Sequence, residues 1–108
     1  MKILLDECLP VDFRYSFPGH EAHSAQWAGF KGKKNGELLA AAEAARYDVL
    51  LTVDQGIPTQ HSGELALVII LIRCRTNQLE DLLPLVGPVL QALESIRPGQ
   101  KITVCAAG

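Results

Sequence analysis

The stretch LALVIILI, residues 65–72, carries an apolar side chain at every position. Successive side chains of a strand point to opposite faces of a sheet, so a strand of this composition is buried on both faces. Sheets with such strands are typically parallel and covered by helices on each side. The run is eight residues long, far short of the roughly 20 apolar residues that cross a bilayer. It therefore predicts a central strand of an α/β domain and no membrane segment.

Outward from this strand, apolar runs alternate with segments of helical periodicity. We expect a first helix beginning near Pro10 and a second over residues 36–46. A third begins near Asn77 and is kinked or split by Pro84 and Pro88. Strands are predicted at residues 2–5, 20–25, 47–52, 65–72 and 101–106. This order predicts a three-layer α/β/α sandwich around a mostly parallel five-stranded sheet.

Two asparagines are predicted to begin helices. Asn35 stands before the apolar face of the second helix, where an asparagine side chain caps backbone N–H groups well. Asn77 is followed three residues later by Glu80, which is the spacing of a capping box.

The composition predicts a single folded domain over residues 1–108. Hydrophobic residues make up 48% and charged residues 20%, so the chain can build a core and is not expected to be disordered. Ten basic against twelve acidic residues give a net charge of −2. This balance excludes a broad cationic surface for sequence-independent DNA binding, so any nucleic-acid contact must be local or metal-assisted.

The cysteines and the N-terminal residues predict a cytoplasmic location. Cys8, Cys74 and Cys105 are odd in number and have no CxxC spacing, so neither a disulfide framework nor a zinc knuckle is expected. The apolar stretch at residues 3–5 is too short for a secretory signal.

Four carboxylates are predicted at one edge of the sheet. In parallel α/β folds, the carboxyl ends of strands and the first turns of the following helices lie along one edge, where ligands bind. Asp6 and Glu7 follow the first strand, Glu37 lies in the first turn of the second helix, and Asp54 ends the third strand. Clustered carboxylates repel unless a cation compensates, and Mg²⁺ or Mn²⁺ prefers oxygen ligands. Such a metal activates water and stabilises phosphoryl charge, which favours phosphodiester hydrolysis.

Each of these acids also has a purely structural interpretation. The helix dipole favours an acid at the position of Glu37 whatever the function, and Asp54 is common turn chemistry after a strand. Glu7 points away from Asp6 if the pleat continues, so it is the weaker ligand candidate.

Basic and aromatic residues near the same edge are candidates for RNA contact. Trp27 or Phe30 offers a stacking face, and Arg73 follows the central strand toward the same edge. Three lysines around Gly32 would contact RNA phosphates, or they simply belong to a solvated glycine-rich loop. These lysines are Lys31, Lys33 and Lys34.

Taken together, several motifs resemble those of the small PIN-like proteins, in the branch of unknown function often met as the toxin half of bacterial toxin–antitoxin pairs. The motifs are LLDECLP (4–10), KNGELLAAAE (34–43), DVLLTVDQ (48–55), LEDLLPLV (79–86) and RPGQKITV (97–104). The resemblance covers nearly the whole chain. It implies a Mg²⁺- or Mn²⁺-dependent ribonuclease acting on single-stranded or structured RNA, an antitoxin protein as partner, and a homodimer.

The resemblance also implies roles for individual residues. By position, Asp6 is the central metal ligand of the catalytic site, Glu37 and Asp54 are its partners, and Glu7 is a flanking acid. Asn35 matches a position that holds a metal-bound water or simply caps the helix.

One departure from the pattern supports a different function. Relatives usually carry Asp or Asn two residues after the strand-ending aspartate, where this chain has Gly56. Three carboxylates hold a metal more loosely than four, so the alternative is a PIN-like module that binds RNA or a cognate protein without cutting. A phosphoacceptor receiver domain is a third class, but it needs a hydroxyl residue and a lysine where this chain has residues 72–73 and 105–106.

Overall fold

The computed structural model describes residues 1–33, 35–54 and 66–105. Within these residues five strands form one sheet in the order β2-β1-β3-β4-β5, and every neighbouring pair is parallel. The strands are β1 Lys2–Leu5, β2 Glu21–Ser24, β3 Val49–Thr52, β4 Val68–Arg73 and β5 Lys101–Cys105. The chain therefore has an α/β fold, and its sheet is parallel throughout rather than mostly parallel.

Within the described residues, helices lie in the connections from β1 to β2, from β2 to β3 and from β4 to β5. The first is a 3₁₀ helix, Val11–Ser16, and α1 spans Asn35–Ala44. After β4, α2 spans Leu79–Leu82, a 3₁₀ turn spans Leu83–Leu85, and α3 spans Val86–Leu93. The predicted interruption of the last helix is confirmed: the 3₁₀ turn contains Pro84, which cannot donate the backbone hydrogen bond that a continuous helix needs.

The apolar run predicted as the central strand is β4, which is buried at five of its six positions. It begins at Val68, and the two residues before it are hydrogen-bonded to α1. There the carboxylate of Glu43 accepts hydrogen bonds from the backbone nitrogens of Ala66 at 3.0 Å and Leu67 at 2.9 Å. Leu65 lies outside the described residues.

Alternate strand residues belong to two separate core clusters. Leu4 and Leu50 pack in one cluster, while their neighbours Leu5 and Leu51 pack in the other. The first cluster includes Leu38, Leu39 and Ala42 of α1. The second includes Phe13, Phe17, Leu82, Leu85, Val89 and Leu93. The alternation follows from the period of two along a strand.

The end of α1 is set by backbone conformation. Arg46 has a φ of 65°, in the left-handed region that commonly ends helices. The nitrogen of Tyr47 still donates to the carbonyl of Ala42, at 3.0 Å. The predicted helix over residues 36–46 is thus displaced by one or two residues at each end.

The predicted capping box at Asn77 is wrong. Helix α2 begins at Leu79, and its N-cap residue, Gln78, makes no side-chain cap bond. The Asn77 amide instead donates to the Cys8 carbonyl at 2.9 Å, which links two segments 69 residues apart. A long-range hydrogen bond has replaced the local one that the spacing predicts.

No helix within the described ranges is long and apolar enough to cross a membrane. Cys8, Cys74 and Cys105 are free thiols, as their number and spacing predict.

Candidate functional site at the carboxyl edge of the sheet

The carboxyl edge of the sheet is built around Asp6, the residue that follows β1. Its backbone nitrogen donates to the carbonyl of Leu51 in β3, at 2.9 Å, which extends the pairing between these two central strands by one residue. Asp6 is only 8% exposed. The local sequence explains this position: the last three residues of β1 are apolar and buried, and the aspartate follows them directly at the carboxyl end of the strand.

The hydroxyl of Thr52 joins the ends of β1 and β3. It donates to Oδ2 of Asp6 at 2.7 Å and accepts a hydrogen bond from the backbone nitrogen of Asp54 at 3.0 Å. Thr52 is fully buried, so the hydroxyl oxygen is not solvated by bulk water. Asp6 and the backbone of Asp54 are therefore separated by a single oxygen atom. Sequence reasoning missed Thr52, although its place two residues before Asp54 was visible.

Cys8 lies beside the same hydroxyl. Its Sγ is 3.8 Å from Oγ1 of Thr52. Burial raises the pKa of the Cys8 thiol, and the negative charge of Asp6 raises it further, against a lowering by the backbone of Val53. The thiol therefore remains protonated at neutral pH, as expected of a small packing residue rather than a nucleophile.

Glu7 contacts the lysine-containing loop that precedes α1. Its Oε2 accepts a hydrogen bond from the backbone nitrogen of Gly32 at 3.4 Å. This contact brings Lys31, which is exposed, and Lys33 to the carboxyl edge of the sheet. Lys34 lies outside the described residues.

Glu37 has a different environment from Asp6. It lies in the first turn of α1, and its side chain is 68% exposed. The Nζ of Lys33 is 3.3 Å from its Oε1. Two residues predicted for different tasks, RNA contact and metal binding, are thus paired with each other. Asn35 begins α1, and its side chain is not among those described.

Arg73 ends β4 at the same edge and is exposed. It pairs with Cys105 of β5. Because β3 lies between β1 and β4, Arg73 is two strands away from β1. A cavity of about 380 Å³ is lined in part by the following residues, Cys74 and Arg75. Arg73 therefore borders the side of the edge that is farther from Asp6.

The donor chemistry of this edge suits a hard divalent cation, because Asp6, Glu7, Glu37 and Asp54 all offer carboxylate oxygens. Within the described residues, however, no three Asp, Glu, His or Cys side chains are gathered closely enough to hold a metal ion. Asp54 is exposed, as is Glu37. Gly56 lies outside the described residues.

Comparison of the chain with protein-family models, with curated proteins and with solved structures gave no match.

Proposed function

We propose that this chain is a metal-dependent ribonuclease with a three-layer α/β/α fold of the PIN-like type. The observation that carries the proposal is the geometry around Asp6. A nearly buried carboxylate ends one central strand and is hydrogen-bonded, through Thr52, to the backbone of the aspartate that follows the neighbouring strand.

The burial of Asp6 supports a cationic partner. Removing a carboxylate from water is unfavourable unless hydrogen bonds or an opposite charge compensate. The Thr52 hydroxyl supplies one strong, charge-assisted hydrogen bond to Oδ2. A divalent cation at the carboxyl edge would supply the opposite charge.

Four side chains would have to converge on the ion, since no three of them are gathered in the described structure: Asp6 as the central ligand, Glu37 and Asp54 as its partners, and Glu7 as a flanking acid. Bound Mg²⁺ or Mn²⁺ supplies an activated water and charge stabilisation at a phosphoryl oxygen. The protein's own part is to fix the Asp6 carboxylate, which Thr52 does. Lys31 and Arg73, both exposed at this edge, would bind RNA phosphates.

The proposal extends to the cellular setting. The ribonuclease would be the toxin of a toxin–antitoxin pair and would be held inactive by its antitoxin protein. It would form a homodimer and act in the cytoplasm. Three free thiols suit that reducing compartment.

The test is cleavage of labelled single-stranded RNA in Mn²⁺, Mg²⁺ or EDTA. Asp6→Asn and Asp54→Asn each keep the side-chain shape while removing a charge. Glu94→Gln is the matched control, because Glu94 is exposed just beyond α3, on the chain's return to the opposite edge. Metal-dependent cutting that both aspartate variants lose and Glu94→Gln retains is the expected result. Equal cutting by all four proteins, or no cutting in any metal, would contradict the proposal.

The second candidate is a PIN-like module that binds RNA or a cognate protein without cutting. The ion pair between Lys33 and Glu37 favours it, because it engages one of the proposed metal ligands. This candidate predicts that RNA binding is as tight in EDTA as in Mn²⁺, and that no metal produces cleavage.

A further inference from the structure

Three aromatic rings form a column beside the edge strand β2: Trp27, His23 and Tyr47. The Trp27 and His23 ring centroids are 4.1 Å apart with a tilt of 31°. His23 meets Tyr47 edge-on at 5.9 Å, and its Nδ1 is hydrogen-bonded to the tyrosine hydroxyl at 3.0 Å. Tyr47 belongs to the buried core, whereas Trp27 is 63% exposed. The Trp27 ring thus lies at the surface, and the rings packed behind it reach into the buried core.

The turn that follows β2 holds Trp27 in place. Its backbone nitrogen donates to the Ser24 hydroxyl at 3.1 Å, and the nitrogen of Ala28 donates to the Ser24 carbonyl at 3.0 Å. Gly29 closes the turn with a φ of 85°, a conformation that glycine adopts readily. The indole is therefore positioned before any ligand arrives, which lowers the entropy cost of stacking on it.

The turn that carries Trp27 lies at the carboxyl edge of the sheet. Ser24 is in register with Leu5, so the turn carrying Trp27 leaves the sheet at the same level as Asp6. Neighbouring strands are about 4.8 Å apart, which makes this turn the neighbour of the β1 end. Exposed Lys31 follows, in the loop that contacts Glu7.

The surroundings of Trp27 favour a small planar ligand over a protein surface. Its chain neighbour Gln26 is exposed and polar, and so are Lys31, four residues after Trp27, and Glu21, whose carboxylate lies 3.7 Å from Nε2 of His23. The other large apolar residues that are exposed in the described part of the chain come from different segments. They are Met1, Val11, Tyr15 and Leu83. Protein interfaces need a contiguous apolar centre, whereas a nucleobase needs one ring face and a nearby cation.

We propose that Trp27, backed by His23, is a stacking subsite for one base of single-stranded RNA, with Lys31 binding the adjoining phosphate. The inference rests on the proposed function for its substrate class. Of the two aromatic residues considered for base stacking, Trp27 is favoured over Phe30, because Phe30 is only partly exposed and its ring contacts Tyr47 edge-on.

The experiment uses the Asp6→Asn protein in EDTA, so that binding is measured without cutting. Trp27 is the only tryptophan of the chain, and its fluorescence therefore reports this site alone. A short single-stranded RNA is titrated against the same RNA with abasic positions, which keep the phosphates and lack the bases. We expect quenching by the intact RNA and little by the abasic one.

Fluorescence anisotropy of labelled RNA then compares variants in the same background. Trp27→Ala is expected to weaken binding about 10-fold, whereas Trp27→Phe, which keeps a ring, weakens it less. Tyr15→Ala is the control, because it removes another highly exposed aromatic ring from a different segment.

Two results would overturn the inference: equal affinity of Trp27→Ala and the parent protein, or equal quenching by intact and abasic RNA. Either one together with metal-dependent cutting by the unmodified chain would leave the ribonuclease proposal standing. Base-dependent quenching without cutting in any metal would instead overturn the ribonuclease and support the RNA-binding module. Absence of quenching by any RNA would also overturn the inference and would favour a protein as the partner of Trp27.

Discussion

Two parts of the carboxyl edge carry acids and differ in how the protein holds them. The strand corner, made of Asp6, Thr52 and the Asp54 backbone, is fixed by two hydrogen bonds that meet at a fully buried hydroxyl. The helix corner, made of Lys33 and Glu37, is an ion pair between side chains that are 37% and 68% exposed. The first is rigid before any ligand binds, while the second can rearrange at little cost.

This difference suggests a division of labour at the proposed metal site. A ligand that is already oriented loses little conformational freedom on binding, so Asp6 supplies the fixed point. Glu37 must leave Lys33 before it can contribute fully, and Lys33 then becomes available to RNA phosphate. The pair at the helix corner would open when metal and RNA arrive together.

The largest expected effect is the loss of cleavage on changing Asp6. Alterations of groups that merely support a metal ligand cost about 10–100-fold in activity, so Asp6→Asn should lower the rate by at least about 100-fold. Glu37→Gln should lower it by only about 10-fold, because that carboxylate is exposed and already paired. Single-turnover cleavage in Mn²⁺ measures both. A larger loss in Glu37→Gln than in Asp6→Asn would reverse the comparison.

The next effect concerns stability at the strand corner. Thr52→Val keeps the volume but leaves the Asp6 carboxylate and the Asp54 N–H without their shared partner. Losing the hydrogen bond of a buried polar group costs about 1–3 kcal/mol, and of the two groups only the Asp6 carboxylate is buried, so we expect the free energy of unfolding to fall by about 1–3 kcal/mol. Urea denaturation measures it. Thr103→Val makes the same chemical change at an exposed position of β5 and should shift stability by less than about 0.5 kcal/mol. Equal losses in the two variants would refute the role of the hydroxyl.

The pH dependence of Cys8 tests the electrostatics of the same corner. Burial first, and then the negative charge of Asp6, raise the pKa of the thiol. Asp6→Asn removes the like charge and should therefore lower that pKa, although burial still holds it above the ordinary value. Alkylation rates against pH, in a Cys74→Ser, Cys105→Ser background, give the midpoint directly. A midpoint that stays the same or rises in Asp6→Asn would contradict this assignment.

The smallest effect belongs to the helix corner. Exposed ion pairs contribute about 0.2–1 kcal/mol, so Lys33→Ala, which removes the partner of Glu37 in α1, should lower the free energy of unfolding by no more than about 1 kcal/mol. Glu43→Gln, on the same helix, should cost more, because the Glu43 carboxylate accepts two backbone hydrogen bonds. A larger loss for Lys33→Ala than for Glu43→Gln would show that the helix corner is not the weakly held one.

The sheet was largely predictable because burial leaves a local trace. The run at residues 68–72 is apolar on both faces, and the sequence around Pro84 marks the broken helix. Strand order was not predictable, since pairing β1 with both β2 and β3 depends on contacts far apart in the chain. The failure at Asn77 has the same cause: its partner, Cys8, is 69 residues away.

The candidate site shows the same limit more sharply. Asp6 stood out because it directly follows an apolar strand, but the hydrogen bond from Thr52 requires the register of β1 against β3. The ion pair of Lys33 with Glu37 joins residues only four apart in the sequence, with Lys33 in the loop just before α1. Considering each residue only for its own chemistry hid the pairing. A charged residue close in sequence to an opposite charge, such as Glu37 after Lys33, is therefore a weaker candidate for a metal ligand than its charge alone indicates.

The most direct test of the central claim is a calorimetric titration of the protein with Mn²⁺, without RNA. We expect one bound ion per chain in the unmodified protein and in Glu94→Gln. Asp6→Asn should abolish this binding, and Glu37→Gln should only weaken it, since Asp6 is the oriented ligand. Absence of Mn²⁺ binding by the unmodified protein, or equal binding by Asp6→Asn, would contradict a metal site built on Asp6.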